Sequence, residues 1–219
     1  MITFEEIKKN EEIKTYIRKA DESLIALGYT EHSFAHVNKV AETAKYILKT
    51  MGYSDREAEL AQIAGYLHDI GNVINRIDHA QSGAVMAFRI LDRLGADAED
   101  TATIITAIGN HDEGTAQAVN PVAAALILAD KTDVRQSRVR NQAVTDFDIH
   151  DRVNYSVKES STRINEEKTE ITLTLSIDTT ICSVMDYFEI FMGRMILCRK
   201  AAAKLGLAFR LVINGQSML

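Results

Sequence analysis

The spacing of apolar residues changes from a helical to a strand pattern near residue 150. Before that point apolar residues recur every three or four positions, as they do between Val37 and Leu48, which is the repeat of an amphipathic helix. After it, residues Glu170 to Ile177 alternate strictly and are rich in β-branched side chains, a pattern typical of a strand. We therefore predict a mainly α domain over residues 1–150 and a small α+β lobe over residues 151–219.

Residues that cap helices indicate where the helices of the first part begin. Thr3 with Glu6, and Ser54 with Glu57, have the spacing of a capping box. A proline at the first helical position is also favourable, and Pro121 follows Asn120 in this way. We predict further N-caps at Asn10, at Thr30 and at Asp78, which is followed by Gln81.

The second part has the pattern of a β-β-α-β lobe. Residues Val153 to Val157 alternate and predict the start of a first strand, and Asn165 to Lys168 predict the turn before the strand at 170–177. A helix follows from Ile181 to Leu205, and Phe209 to Ile213 predicts a last strand. This helix is apolar nearly all round, so it must be covered on several sides. Burial between the sheet and the bundle is one explanation, and a homodimer contact is the other.

Composition excludes several classes of protein. The net charge of −6 argues against binding to a nucleic-acid duplex, and apolar runs such as Val122 to Ala129 are too short to span a membrane. The first residues lack the pattern of a signal peptide. Two cysteines, Cys182 and Cys198, make a poor disulfide framework. We expect a cytoplasmic protein with reduced thiols.

Histidine and aspartate recur at the ends of the predicted helices. Imidazole and carboxylate ligands together suit iron, manganese, cobalt, nickel or zinc. The candidate ligands are His36, His68, Asp69, His79, His111 and Asp130.

Each candidate also has an ordinary explanation. His36 could be a hydrogen-bonded core residue, and the pair His68-Asp69 could cap a helix. His79 and His111 could be polar surface residues. Asp130 ends the apolar run Ala-Ala-Ala-Leu-Ile-Leu-Ala-Asp, and a buried carboxylate needs a cation or hydrogen-bond donors. That cation could be a metal ion, or it could be Lys131 or Arg135.

Taken together, these blocks resemble the HD superfamily of metal-dependent phosphohydrolases. The matching blocks are His36-Val-Asn-Lys-Val-Ala-Glu-Thr-Ala, Gly-Tyr-Leu-His68-Asp69-Ile-Gly, Asp-His79-Ala-Gln-Ser-Gly-Ala, Asn-His111-Asp-Glu and Leu-Ala-Asp130-Lys. The whole chain also resembles uncharacterised bacterial members that carry the same C-terminal lobe. Two positions depart from common family patterns: Asn72 stands where many members carry lysine, and Asp-Glu-Gly-Thr follows His111 where cyclic-dinucleotide phosphodiesterases carry Gly-Tyr-Pro.

The resemblance implies a helical bundle with one or two divalent metal ions at its centre. His36, His68, Asp69 and Asp130 would bind the first ion. In two-metal members, His79 and His111 stand where ligands of a second ion lie, with Asp69 between the two. The activity implied is hydrolysis of a small phosphorylated substrate such as a nucleotide, and the alternative is a regulatory binding module without turnover.

Catalytic and substrate-binding roles follow from the same resemblance. Asp69 and His68 would be the catalytic residues beside the metal-activated water. Lys131 could donate to phosphate oxygens or could be ordinary surface charge, which is also our expectation for Arg135 and Arg138. His32 precedes His36 by four residues, so we predict that both project from one helix face. His32 could then be an extra metal ligand, a donor to the substrate phosphate or an acid for the leaving group, or it could be a polar residue of the first turn.

Overall fold

The structure is a computed structural model that describes residues 1–140 and 147–219. Helices make up most of the chain up to residue 131, and a four-stranded sheet with a long helix follows after the gap. This is the predicted α+β class, a helical bundle with a small C-terminal lobe. The helices of the described part are α1 (Phe4–Lys9), α2 (Glu11–Ala26), α3 (Phe34–Met51), α4 (Asp55–Leu67), α5 (His79–Arg93), α6 (Ala98–Gly109), α7 (Pro121–Lys131), α8 (Ile149–Ser156) and α9 (Val184–Lys204).

Most of the predicted helix starts are confirmed by their side-chain hydrogen bonds. Thr3 with Glu6 and Ser54 with Glu57 each form a complete capping box at the start of α1 and α4. The Asn10 side chain caps α2. The Asn120 side chain caps α7, with Pro121 at its first turn.

One predicted cap is wrong, and another lacks its side-chain bond. Helix α3 begins at Phe34 with Ser33 as its cap, because the Ser33 hydroxyl accepts from Ala35 N at 3.2 Å. Thr30 and His32 therefore precede the helix. Asp78 is the N-cap residue of α5, as predicted, and His79 lies in the first turn, but Asp78 has a left-handed backbone, φ 57°, and its side chain makes no capping bond. A capping side chain normally needs an extended backbone at that residue.

Close packing of α3 on α4 fixes the centre of the bundle. Gly65 lies where these helices cross, and a Cβ there would come within 2.9 Å of the Ala41 backbone. Helix α7 is almost entirely buried, from Val122 to Ala129, and packs against α3, α4 and α9. A helix buried on nearly all sides must be apolar all round. Its C-terminal end therefore delivers Asp130 to the interior of the protein.

The C-terminal lobe has the predicted β-β-α-β order. Its strands are β1 (Val157–Ile164), β2 (Glu170–Ile177), β3 (Ala208–Ile213) and a further short β4 (Gln216–Ser217). Strand β1 pairs antiparallel with β2, and β2 pairs parallel with β3. Helix α9 makes the crossover between those parallel strands and packs on α7. The lobe is thereby joined to the bundle through α9.

The prediction of a strand start at Val153 is wrong, because α8 continues to Ser156 and β1 begins at Val157. Val153 and Ser156, three residues apart, are both fully buried, which is a helical spacing. A segment of five residues is too short to distinguish the two-residue repeat of a strand from the 3.6-residue repeat of a helix. Since α8 crosses residue 150, the division into domains at 1–150 and 151–219 stays a prediction.

Two further expectations concern α9 and the cysteines. Helix α9 buries Tyr187, Phe191 and Met195 and exposes Met185 and Met192, so the homodimer contact stays a prediction. Both cysteines are buried and free in the structure. Among the described residues, no helix is long and apolar enough to cross a membrane.

Candidate metal centre

The ends of five helices bring the six predicted ligands to one place. His36 lies in the first turn of α3, and His68 and Asp69 follow the last turn of α4. His79 begins α5, His111 follows α6, and Asp130 is the last residue but one of α7. The four histidines and Asp69 are buried, and Asp130 is nearly so.

Each of the four histidines donates its Nδ1–H away from the cluster. Because the partners are carbonyl or carboxylate oxygens, which only accept, Nδ1 carries the proton and Nε2 presents a lone pair. The acceptors are Asp133 Oδ2 for His36 at 2.8 Å, Gly65 O for His68 at 2.8 Å, Arg76 O for His79 at 3.0 Å and Ile108 O for His111 at 2.6 Å.

The Nε2 atoms therefore face each other in pairs. His36 Nε2 lies 3.3 Å from His68 Nε2, and His79 Nε2 lies 3.2 Å from His111 Nε2. Two lone pairs at that distance repel unless a proton or a metal cation lies between them. Outward Nδ1–H bonds of this kind also orient histidine ligands in metalloproteins.

Asp69 lies between the two pairs. Its Oδ2 is 3.2 Å from His68 Nε2 and 3.6 Å from His36 Nε2, and its Oδ1 is 3.6 Å from His79 Nε2. Asn72 Nδ2 donates to Oδ1 at 2.9 Å. Oδ2 is buried and has no hydrogen-bond partner among the described residues, although buried carboxylate oxygens are normally satisfied.

Asp130 faces the first pair of histidines. Its Oδ1 is 3.4 Å from His36 Nε2 and 3.7 Å from His68 Nε2, while its Oδ2 accepts from Lys131 Nζ at 2.5 Å. The Asp130 carboxylate thus forms the predicted salt bridge with Lys131 through Oδ2, and its Oδ1 is placed to be a metal ligand.

The electrostatics favour the protonation states of metal ligands. Burial alone would raise the pKa of Asp69, but the neighbouring His68, with smaller contributions from His32 and His79, holds it well below its usual range. Burial lowers the pKa of His111 well below, and that of His79 below, the usual value. Burial would lower the pKa of His68, but the Asp69 and Asp130 carboxylates raise it above the usual value. The cluster thus offers an ionised Asp69 and neutral His79 and His111, which are the forms that bind metals, and a bound cation would replace the proton that His68 shares with Asp69.

The family of the protein follows from a comparison over this region. The family model described as "HD domain" matches residues 33–153, which is more than half of the 219 residues. The chain belongs to the HD domain family. This match confirms the resemblance and supports a metal-dependent hydrolase in general.

Two further proteins are similar to this HD domain protein. An uncharacterised protein of Methanocaldococcus jannaschii, MJ1020, is 24% identical over 207 residues, covering 84% of this chain and 80% of its own. A predicted HD superfamily hydrolase from an uncultured Thermotogales bacterium, solved as a crystal structure, is 26% identical with a TM-score of 0.47. That match covers 62% of this chain and 75% of the other.

The donor atoms of the HD domain fit a divalent metal ion. Two groups of three ligand atoms lie within 4.8 Å of one another: those of His36, His68 and Asp130, and those of His68, Asp69 and His111. A cation would relieve the facing lone pairs and satisfy the buried Asp69 Oδ2. The mixture of imidazole and carboxylate suits first-row transition metals.

A cavity of about 510 Å³ opens from this cluster. Both residues predicted to contact substrate border it. Lys131 is buried and bonded to Asp130. His32 lies before α3, so the prediction that it shares a helix face with His36 is wrong, although their ring centroids are still 5.4 Å apart. The cationic and aromatic residues that also line the cavity are Tyr29, Arg76, Arg138, Phe191 and Arg194.

Sequence reasoning missed one residue of the HD domain region, Asp133, and predicted the wrong surroundings for two others, Arg138 and Arg135. Asp133 is fully buried and accepts from His36, but it follows the end of α7 and so belongs to no helical stripe. Arg138, expected as surface charge, is 4% exposed. Arg135 pairs with Asp133 at 3.0 Å and with Glu31 at 2.9 Å, rather than with Asp130.

Proposed function

We propose that the protein is a metal-dependent phosphohydrolase that cleaves a phosphate ester or anhydride of a nucleotide or similar small molecule. One observation carries this proposal. A single cavity joins the histidine–aspartate cluster to the cationic residues Arg76, Lys131, Arg138 and Arg194. Phosphoryl transfer needs an activated water beside charge that neutralises the phosphoryl oxygens, and this cavity combines the two.

The six clustered side chains would hold one or two ions of iron, manganese, cobalt, nickel or zinc. His36, His68, Asp69 and Asp130 would hold the first ion, and the Nε2 atoms of His79 and His111 would hold a second beside Asp69 Oδ1. When bound, such ions polarise phosphoryl oxygens and lower the pKa of water.

Asp69 has the main catalytic role among the protein's own groups. Its Oδ2 is a buried, ionised acceptor without a partner among the described residues. It would accept a hydrogen bond from the attacking water and orient that water towards phosphorus. Asn72 bonds Oδ1 at 2.9 Å and so keeps the carboxylate in this rotamer. His68 Nε2 lies 3.2 Å from Oδ2, so the two atoms would bind the same ion.

The cationic side of the cavity would bind and orient the phosphate group. Lys131 Nζ is already paired with Asp130, so its role is to place charge beside a ligand of the first ion. Arg76 Nη1 lies 3.2 Å from Asn72 Oδ1, and its guanidinium lies over the Tyr29 ring at 5.5 Å from the centroid.

An exposed aromatic ring supports a nucleotide as the substrate. The Tyr29 ring is 43% exposed and borders the cavity that contains the cluster. Nucleobases stack on such rings with little dependence on base identity. The base would lie against Tyr29 while the phosphate lies between the cluster and the arginines.

A substrate panel tests the proposal. Nucleoside monophosphates, dinucleoside polyphosphates and cyclic dinucleotides are incubated with the protein and manganese, iron or cobalt. We expect phosphate or nucleotide release that stops on chelation and returns with added metal. Tight nucleotide binding without turnover of any compound would contradict the enzyme and favour a regulatory HD module.

A further inference from the structure

Two arginines from different parts of the chain line the same cavity. Arg138 ends the short 3₁₀ turn Gln136–Arg138 and lies within the residues that match the HD domain. Arg194 lies on α9 of the C-terminal lobe, beyond the matched residues 33–153. Both border the cavity together with Asp130 and His111.

Arg138 is a buried guanidinium anchored by backbone oxygens. Its Nε donates to Glu31 O at 3.0 Å and its Nη1 donates to Asp133 O at 2.9 Å. The Asp133 carboxylate is 3.8 Å away and already accepts from His36 and Lys39. The hydrogen bonds of Arg138 go to neutral carbonyl groups, and the charge of Asp133 is shared with other cations, so Arg138 can attract a further anion. Among the bonds made by described residues, these two use one N–H of Nε and one of Nη1, so the second N–H of Nη1 and both of Nη2 remain for that anion.

Arg194 is held in place by two neighbours. Its guanidinium carbon lies 4.4 Å from the centroid of the Phe191 ring, and its Nε forms an ion pair with Glu113. The Phe191 ring covers one face of the guanidinium and Glu113 pairs with Nε, while Arg194 also borders the cavity. A guanidinium fixed in this way loses little freedom when it binds an anion.

We propose that Arg138 and Arg194 together bind the terminal phosphate of the substrate, so that the C-terminal lobe completes the active site. The inference rests on the proposed function. Burial, and to a smaller extent the charge of Arg194, lower the pKa of the Arg138 guanidinium, so the two cavity-lining cations repel each other. A phosphate that contacts both would relieve that repulsion through charge-assisted hydrogen bonds.

The number of acceptors favours a terminal phosphate over an internal diester. A terminal phosphate has three non-bridging oxygens, which can contact the ligand cluster and both arginines at once. A phosphodiester has two such oxygens. We therefore infer that the substrate is a phosphomonoester or carries a terminal phosphate, and that α9 contributes directly to its recognition.

Binding of inorganic phosphate to the metal-loaded, full-length protein tests this inference without requiring turnover. The variants Arg138→Gln and Arg194→Gln are compared with Arg199→Gln, a matched control on the exposed side of α9. Titration calorimetry should show phosphate affinity roughly 10- to 100-fold lower in the first two, as expected when a hydrogen bond to a charged group is lost. Elemental analysis should show unchanged metal content, and Arg194→Lys should fall between wild type and Arg194→Gln.

The outcomes separate this inference from the proposed function. Phosphate affinity in Arg194→Gln equal to that of the control, with normal metal content, would overturn it. Arg138 is buried, so if Arg138→Gln does not fold, Arg194→Gln decides alone. Phosphate binding that depends on Arg194 without hydrolysis of any ester would support this anion site and contradict the phosphohydrolase.

Discussion

His36 donates its Nδ1–H to Asp133 Oδ2 at 2.8 Å, and this bond turns its Nε2 towards Asp130 Oδ1 at 3.4 Å. Asp133 is itself fixed, because Lys39 and Arg135 contact its Oδ1 at 3.1 and 3.0 Å. Its pKa lies far below the usual range: burial opposes ionisation, but the His36 bond and the nearby cations outweigh it. The pair thus selects the histidine tautomer that can bind metal.

Replacing Asp133 with asparagine should weaken metal binding while leaving every proposed ligand in place. We expect affinity for manganese or cobalt to fall about 10- to 100-fold, as found when the hydrogen-bond partner of a metal-bound histidine is removed. Metal titration of the apoprotein measures the effect. Lys39→Gln, which removes a half-exposed partner of the same carboxylate, is the control and should bind metal almost normally. Equal affinity in Asp133→Asn and wild type would exclude an orienting role.

Gly71→Ala should destabilise the protein next to the cluster. A Cβ at Gly71 would overlap the His79 carbonyl oxygen and lie 2.5 Å from Gly83 N. Both obstacles are backbone atoms, so overpacking should cost about 1–3 kcal/mol or more. Urea unfolding measures this cost. Gly193→Ala on α9, where a Cβ meets nothing within 4 Å, should instead stabilise by roughly 0.5–1 kcal/mol. Similar unfolding midpoints for both variants would contradict this packing.

Stability should decrease at alkaline pH because of a buried thiol. Burial raises the pKa of Cys198 from 9.0 to about 12. Below the pKa that the thiol has in the unfolded chain, both the folded and the unfolded state keep the proton, so the thiol does not reduce the free energy of unfolding. Above it the unfolded chain ionises first, so unfolding becomes easier by up to about 1.4 kcal/mol per pH unit until the folded thiol also ionises.

The alanine variant isolates the contribution of this thiol. Burial also raises the pKa of Tyr187, so part of the alkaline loss should remain in Cys198→Ala. Urea unfolding at about pH 8 and about pH 10.5 should show a smaller loss of stability in Cys198→Ala than in wild type. An identical loss in both proteins would show that the thiol is not protected from ionisation.

Much of the fold could be predicted because local signals agreed with tertiary packing. The Thr3–Glu6 and Ser54–Glu57 pairs form the predicted capping boxes, and strict alternation at 170–177 corresponds to β2. The errors occurred where the local signal was short. Asp78 occupies the predicted N-cap position, but its composition gave no sign of the left-handed backbone, φ 57°, at which its side chain makes no capping bond.

The candidate site also contains residues that the sequence predicts and residues that it does not. The six proposed ligands could be named from motif spacing, and the structure brings them together. The roles of Asp133, Arg138 and Arg194 could not be predicted, since they depend on tertiary contacts. The Arg138 side chain reaches back to Glu31, more than a hundred residues away. Arg194 reaches the cavity only because α9 packs on α7.

Metal content measured beside hydrolysis in Asp69→Ala tests the central claim most directly. The Asp69 carboxylate contacts both histidine pairs, so its removal should disturb both proposed ion positions. We predict that wild-type protein contains at least one divalent transition-metal ion per chain and hydrolyses a phosphate ester. The variant should fold, lose most of the metal and release no phosphate. Unchanged metal content and unchanged hydrolysis in Asp69→Ala would contradict the account.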